Sequence, residues 1–126
     1  MRRKLPFDAE NLELVRRAMR EVAMRGTGRR LFTRTETDPD APPGAKPRRH
    51  VLDVDCAGKT GTAEIGRGAT RRKNTWIIAF APYDQPTLAV AMIVERGESG
   101  GATVAPKVHN LLAAAFGEHE EAEGRP

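Results

Sequence analysis

The sequence predicts an α+β fold: a three-stranded antiparallel sheet with an N-terminal and a C-terminal helix on one face. Three observations lead there: a helical apolar period near the start, three strand-like stretches between residues 51 and 95, and a second helical period near the end. The 126 residues fit one compact domain and can bury a modest core.

The first helix rests on Leu12, Val15, Met19 and Val22, spaced at i, i+3, i+7 and i+10. Asp8 is placed to cap its start and Gly26 and Gly28 to end it, which predicts a helix over about residues 8–24. From Arg29 to His50 the periodicity disappears, and Asp38 through Pro47 concentrates proline, which strands and helices reject. A loop or exposed insertion is expected over about 33–50.

Strands are expected at about 51–64, 74–81 and 87–95. Val51-Leu52-Asp53-Val54 alternates, Thr75-Trp76-Ile77-Ile78-Ala79-Phe80 is β-branched and aromatic, and Leu88 through Val94 is nearly all apolar. The connections, Gly66 to Lys73 and Pro82 to Pro86, are short enough for hairpins, so the sheet reads as an antiparallel meander.

The final block opens at Gly97-Glu98-Ser99-Gly100-Gly101 and continues as a helix with Val104, Val108, Leu111, Leu112 and Ala115 on one stripe. Pro106 fits only in its first turn, and Gly117 ends it. Residues 1–117 are thus the expected folded unit, and 118–126 an acidic tail expected to be disordered.

Composition removes several function classes. The 21 basic and 17 acidic residues give +4, an excess spread over Arg2-Arg3-Lys4, Arg29-Arg30, Arg48-Arg49 and Arg71-Arg72-Lys73 that reads first as solvated surface. No basic platform interleaved with aromatics accompanies them, so nucleic acid is not an expected partner. One cysteine, Cys56, excludes an internal disulfide and a thiolate zinc site, and reads as a small strand residue; no metal or cofactor is expected. Arg2-Arg3-Lys4 has no apolar run behind it to make a signal peptide, and no stretch approaches the roughly 18 apolar residues of a membrane span. This chain by itself is therefore expected to carry no anchor or address.

Gly58-Lys59-Thr60 invites comparison with a phosphate-binding loop, and fails it. The position five residues before Gly58 that should be glycine is Asp53, and the chain continues as strand where a helix should begin. Acyl transfer suits the segment better. A strand alternates with period two, so Thr60 and Thr62 share a face, where two hydroxyls can hold a carboxylate beside the charge of Lys59. Gly61 has no side chain to obstruct a peptide adding along the strand edge, and the Thr62 amide can serve as an oxyanion donor.

Four ordered stretches extend this reading: Leu14 through Val22 with Gly26-Thr27-Gly28; Cys56-Ala57-Gly58-Lys59-Thr60-Gly61-Thr62-Ala63-Glu64; Trp76 through Asp84; and Ala89 through Glu95 followed by Gly97 and Ser99 through Pro106. Together they resemble the C-terminal part of the transpeptidase domain of class B penicillin-binding proteins, most of all the elongation-type branch, with its serine β-lactamase-like fold. That resemblance implies a DD-transpeptidase outside the cytoplasm, at the bacterial cell membrane, that cross-links peptidoglycan stem peptides and is acylated by β-lactams. It implies that Lys59 sits near the nucleophile, that Thr60 and Thr62 bind the substrate or drug carboxylate with Gly61 between them, and that the Thr62 amide helps form the oxyanion hole.

The resemblance reaches about the final third of such a domain. No Ser-x-x-Lys or Ser-x-Asn is present, and the single serine, Ser99, lies among glycines as a turn or capping residue would. His50 falls in the expected loop, His109 on the expected helix surface and His119 in the tail, so no catalytic triad is visible. The chain is thus expected to be inactive alone, needing the remainder of the domain as partner. A non-catalytic module that binds peptide or cell-wall polymer is the alternative.

Overall fold

The computed structural model describes residues 6–121. Within them are helix α1 (Ala9–Met24), strands β1 (Thr33–Glu36), β2 (Arg48–Leu52), β3 (Ala57–Ile65), β4 (Arg72–Ala81) and β5 (Leu88–Glu95), helix α2 (Ala105–Phe116) and strand β6 (Glu118–Glu120). The architecture is α+β, with the meander β3-β4-β5 in the predicted antiparallel order.

A second three-stranded sheet, ordered β1-β2-β6, was not expected. It corrects three readings. Residues 33–36 and 48–52 of the expected loop are paired strands, leaving 37–47 with the prolines as their connection. The strand expected over 51–64 is two strands in different sheets, because the aspartates between them are used as ties: the Asp53 amide donates to the Gly117 carbonyl at 3.1 Å, the Asp55 carbonyl accepts from Tyr83 at 2.8 Å, and the Asp55 carboxylate pairs with Arg20. The chain changes direction there and enters β3 through Cys56, whose thiol is pushed up to about 12, chiefly by burial.

The third correction concerns the acidic end. Residues 118–120 form β6, paired with β2, because basic residues face them: Arg34 bonds Glu118 at 2.7 Å and Arg49 pairs with Glu121 at 3.0 Å. Self-repulsion of a charge run, the reason to expect disorder, is cancelled by these partners. The rest of the expected tail, 122–126, lies outside the described residues.

The core forms where β4 meets α2. Alternation sends Thr75, Ile77, Ala79 and Ala81 to one face, all buried, against Val104, Ala105, Val108 and Leu112. Pro106 lies in the first turn of α2 and Gly117 at its C-cap, as predicted. His109 was expected on the helix surface but is fully buried. Its Nδ1 donates to the Leu31 carbonyl at 2.9 Å and its Nε2 lies 2.7 Å from the Glu118 carboxylate, so α2, the Arg29–Leu31 turn and β6 are fastened together.

The opposite face of the meander is largely bare. Ile78 and Ile93 are 49% and 60% exposed, and Trp76 is 37% exposed. Helix α1 runs along β3, with Met19 beside Ile78, Phe80 and Ala91, while Leu12, Leu14 and Val15 stay exposed. Half of the apolar stripe that predicts α1 therefore meets solvent. Among the described residues no helix is long and apolar enough to cross a membrane.

Candidate functional site

Among the described residues strand β3 is an edge strand, with no strand partner on one side. Its register against β4 sets Thr60 opposite Ile77 and Thr62 opposite Thr75, on the inner face, and Lys59 opposite Ile78 and Gly61 opposite Trp76, on the outer one. Thr60 and Thr62 do share a face. Lys59 is brought to the same strand but not to the same side.

The two threonines line a cleft of about 380 Å³ whose other walls come from distant segments: Thr27, Arg29 and Arg30 after α1, and Ser99 through Ala102 before α2. Thr27 Oγ1 and Thr60 Oγ1 lie 2.8 Å apart, so one hydroxyl donates to the other. Gly100 closes the contact from the second segment. A Cβ there would lie 2.7 Å from the Trp76 carbonyl oxygen and 3.0 Å from Thr60 Cβ, so a side chain would drive the segment off β3. The Ser99–Ala102 turn thus packs against the strand at the level of Thr60.

Ser99 has the structural role expected of it. Its Oγ accepts from the Ala102 amide at 3.0 Å and its carbonyl from Thr103 at 2.8 Å, holding the π-type turn Gly100–Val104 that leads into α2. The Lys59 ammonium donates to the carbonyl of Thr60 at 2.8 Å and is otherwise on the exposed outer face. Above Gly61 the space is taken: a Cβ would fall 2.0 Å from Trp76 Nε1. Trp76 is the neighbour in this structure that requires glycine there.

Arg29 and Arg30 sit on a tight turn held by Leu31 N donating to Gly28 O at 2.7 Å and by His109 on the Leu31 carbonyl. Thr27 and both arginines are site residues that the sequence alone does not mark. Gly26-Thr27-Gly28 was visible as a turn, but nothing in the linear order reports that it meets Thr60. Among the described residues no group of three or more His, Cys, Asp or Glu could hold a metal ion. His50 and His119 stay apart from the cleft: His50 lies near Glu36 and Glu118, and His119 Nδ1 is 2.7 Å from Asp53. What the cleft offers chemically is a set of hydroxyls, a cationic rim and an open strand edge, an arrangement for holding an extended anionic chain.

Comparison with known proteins gives the same direction. The family model for the penicillin-binding protein transpeptidase domain matches residues 1–113. The chain is 44% identical over 77 residues to the peptidoglycan D,D-transpeptidase PbpA of Mycolicibacterium smegmatis, a match covering 54% of this chain and 15% of that protein. It is 33% identical over 113 residues to the peptidoglycan D,D-transpeptidase MrdA of Salmonella typhimurium, covering 79% of this chain and 15% of that protein. The structure superposes with a TM-score of 0.62 on a crystal structure of Pseudomonas aeruginosa PBP2 in complex with WCK 5153, at 29% identity over 91% of this chain and 22% of that one. The chain thus spans about 15% of the length of the curated relatives it matches.

Proposed function

Because the chain belongs to the penicillin-binding protein transpeptidase family, we propose that it supplies the carboxylate-binding and oxyanion wall of a serine DD-transpeptidase site whose nucleophile lies on another segment. The observation that carries this is the pairing of Thr60 and Thr62 on one face of an edge strand, within a cleft walled by Thr27 and the Ser99–Ala102 turn.

In this reading the donor stem peptide, or a β-lactam in its place, lies along β3. The Thr60 and Thr62 hydroxyls donate to its terminal carboxylate, which fixes the scissile carbonyl along the strand. The Thr62 amide then faces the oxygen on which charge develops. A serine oxygen from the missing segment attacks that carbonyl carbon; the carbon–nitrogen bond breaks, and the terminal D-alanine leaves with the proton the serine gave up. An acceptor amine next attacks the ester, forming an amide bond and returning a proton to the serine oxygen.

Lys59 belongs to the side from which the serine comes. It shares the outer face of β3 with Trp76 and the exposed Ile78 and Ile93, and an apolar surface of this kind is what a partner segment would cover. The ammonium would leave the Thr60 carbonyl to face the nucleophile as that segment docks. Gly61 has a supporting role: it lets the Trp76 indole close over the strand between Lys59 and Thr62. In this reading the domain works on the outer side of the bacterial cytoplasmic membrane, where peptidoglycan lies.

Co-expression with a segment carrying Ser-x-x-Lys and Ser-x-Asn, encoded upstream of Met1 or taken from a relative, tests the proposal. The pair should release D-alanine from a D-alanyl-D-alanine substrate, and Thr60→Val or Lys59→Ala should lower the rate by about 100-fold, the range of losing one positioned transition-state group. Full activity in both variants would remove β3 from the site. One observation favours the alternative of a non-catalytic binding module: the only serine of the sequence, Ser99, is occupied as a turn cap. Peptide binding by the chain with no turnover by any such pair would support it.

A further inference from the structure

The Arg29-Arg30 pair is not spent on the fold. Arg16, Arg17, Arg20, Arg25, Arg34, Arg48, Arg49 and Arg71 each pair with a carboxylate, whereas among the described residues Arg29 and Arg30, like Arg67, Arg72 and Arg96 away from the cleft, have none. The one contact the structure gives either guanidinium is Arg30 Nη1 donating to the Ala102 carbonyl at 3.5 Å, across the cleft.

Both side chains border two hollows at once. On one side is the Thr60–Thr62 cleft; on the other is a hollow of about 400 Å³ reaching Thr33, Thr35 and Pro106. Among the described residues no aspartate or glutamate lines either of them. The only other cation there among the described residues, Arg34, is already neutralised by Glu36 at 2.8 Å and Glu118 at 2.7 Å. The uncompensated charge is thus concentrated on the ridge between the hollows.

Their backbone is held in place. The turn is closed by Leu31 and Phe32 amides donating to Gly28 and Arg29 at 2.7 and 3.2 Å, by the Thr33 hydroxyl donating to the Arg29 carbonyl at 3.2 Å, and by the buried His109 on the Leu31 carbonyl. Long side chains on a fixed turn keep their reach while their base does not move. A guanidinium fork suits a carboxylate, which it can bond through two parallel N–H groups.

We propose that Arg29 and Arg30 bind a second carboxylate of the same peptide whose terminal carboxylate sits at Thr60 and Thr62, so that the cleft selects acidic peptides over those in which this second group is an amide. The inference rests on the proposed function for the position of the first carboxylate. It adds a substrate class: a peptide that ends in D-alanine and carries a free side-chain carboxylate a short distance upstream. The second hollow gives that upstream part room beyond the ridge.

Titration of the chain with N-acetylated glutamyl-D-alanyl-D-alanine and its glutaminyl counterpart, which differ by one charge, separates the two claims. The glutamyl peptide should bind roughly tenfold more tightly, as expected for a charge-assisted, partly solvated contact. Arg29→Gln with Arg30→Gln should bring that ratio to about one, and Arg29→Lys with Arg30→Lys should leave an intermediate ratio. Thr60→Val should weaken both peptides alike and keep the ratio. A ratio of one in the native chain, or a ratio that survives the double glutamine variant, overturns the inference while leaving the threonine site standing. Retained glutamyl preference with no effect of Thr60→Val overturns the threonine site alone, and no binding of either peptide overturns both.

Discussion

The hydroxyl of Thr27 is hydrogen-bonded to the hydroxyl of Thr60 at 2.8 Å, joining the turn after α1 to the strand that carries the motif. The pair defines how Thr60 presents itself: Thr27 takes one of its hydrogen-bonding positions and orients the other toward the cleft. Thr27→Val should therefore weaken binding of an acyl-D-alanyl-D-alanine peptide even though Thr27 is absent from the motif. Thr60→Val should weaken it more. A double-mutant cycle should give a coupling of about 1 kcal/mol, the usual net worth of one such hydrogen bond. Additive effects would show that the two hydroxyls act separately.

Trp76 Nε1 lies 2.0 Å from where a Gly61 Cβ would be, so Gly61→Ala forces the indole off the strand. The expected cost is about 1–3 kcal/mol, the range for overpacking, read from the urea midpoint. Trp76→Ala in the same background should return part of that loss, because the colliding ring is gone. An unaltered midpoint in Gly61→Ala alone would mean that Trp76 moves freely.

Glu118 links stability to pH. The Arg34 guanidinium bonded to it, with His109 on its other oxygen, holds its carboxyl below the ordinary value of 4.5 against the opposing effect of partial burial. A depressed value in the folded state means the stabilisation is complete above about pH 4.5 and is lost as pH falls through the lower folded-state value. Glu118→Gln should lower stability at pH 7, and the gap to the native chain should close in acid below that point. A gap that stays constant down to pH 3 would contradict the linkage.

The outer face of the meander predicts association. Ile78 and Ile93 on that face are 49% and 60% exposed, and Val15 of α1 is 55% exposed; large apolar side chains left open together are what a second surface covers. Light scattering of the purified chain should show concentration-dependent self-association, and Ile78→Lys with Ile93→Lys should raise the concentration at which it sets in by about tenfold or more, about 1.4 kcal/mol. Thermal stability should change little, since both side chains are largely exposed. A cooperative monomer for the native chain at every concentration would count against a missing covering segment.

Much of this arrangement was legible in the residues because it rests on local period. The 3.6-residue pattern in Leu12 to Val22 and Val104 to Ala115, and the alternation through β4 and β5, are set by neighbours along the chain, and they place both helices and the meander. The second sheet was not legible. Its strands are four, five and three residues long, separated by the proline segment and by most of the chain, and side-chain charges tie the two outer strands across the middle one, as Arg34 does with Glu118. Such pairing leaves no periodic trace.

The site divides in the same way. Alternation in β3 put Thr60 and Thr62 on one face and Lys59 with Gly61 on the other. Thr27, Arg29 and Arg30 come to the cleft on a turn that the buried His109 fastens to α2 through the Leu31 carbonyl, 78 residues away in sequence. A buried polar residue on a helix that otherwise reads as half-exposed gives no linear signal of its partner.

In the proposed function, Lys59 to Thr62 complete a serine acyl-transfer site supplied in part by another segment. Its most direct test is labelling by a fluorescent penicillin, with intact-mass detection, of the chain alone and of the chain together with the Ser-x-x-Lys-bearing segment. No adduct is expected on the chain alone, and a serine ester should form on the added segment only when the chain is present and be lost in Thr60→Val. A covalent adduct on Ser99 of the chain alone, or labelling of the added segment without this chain, would contradict it.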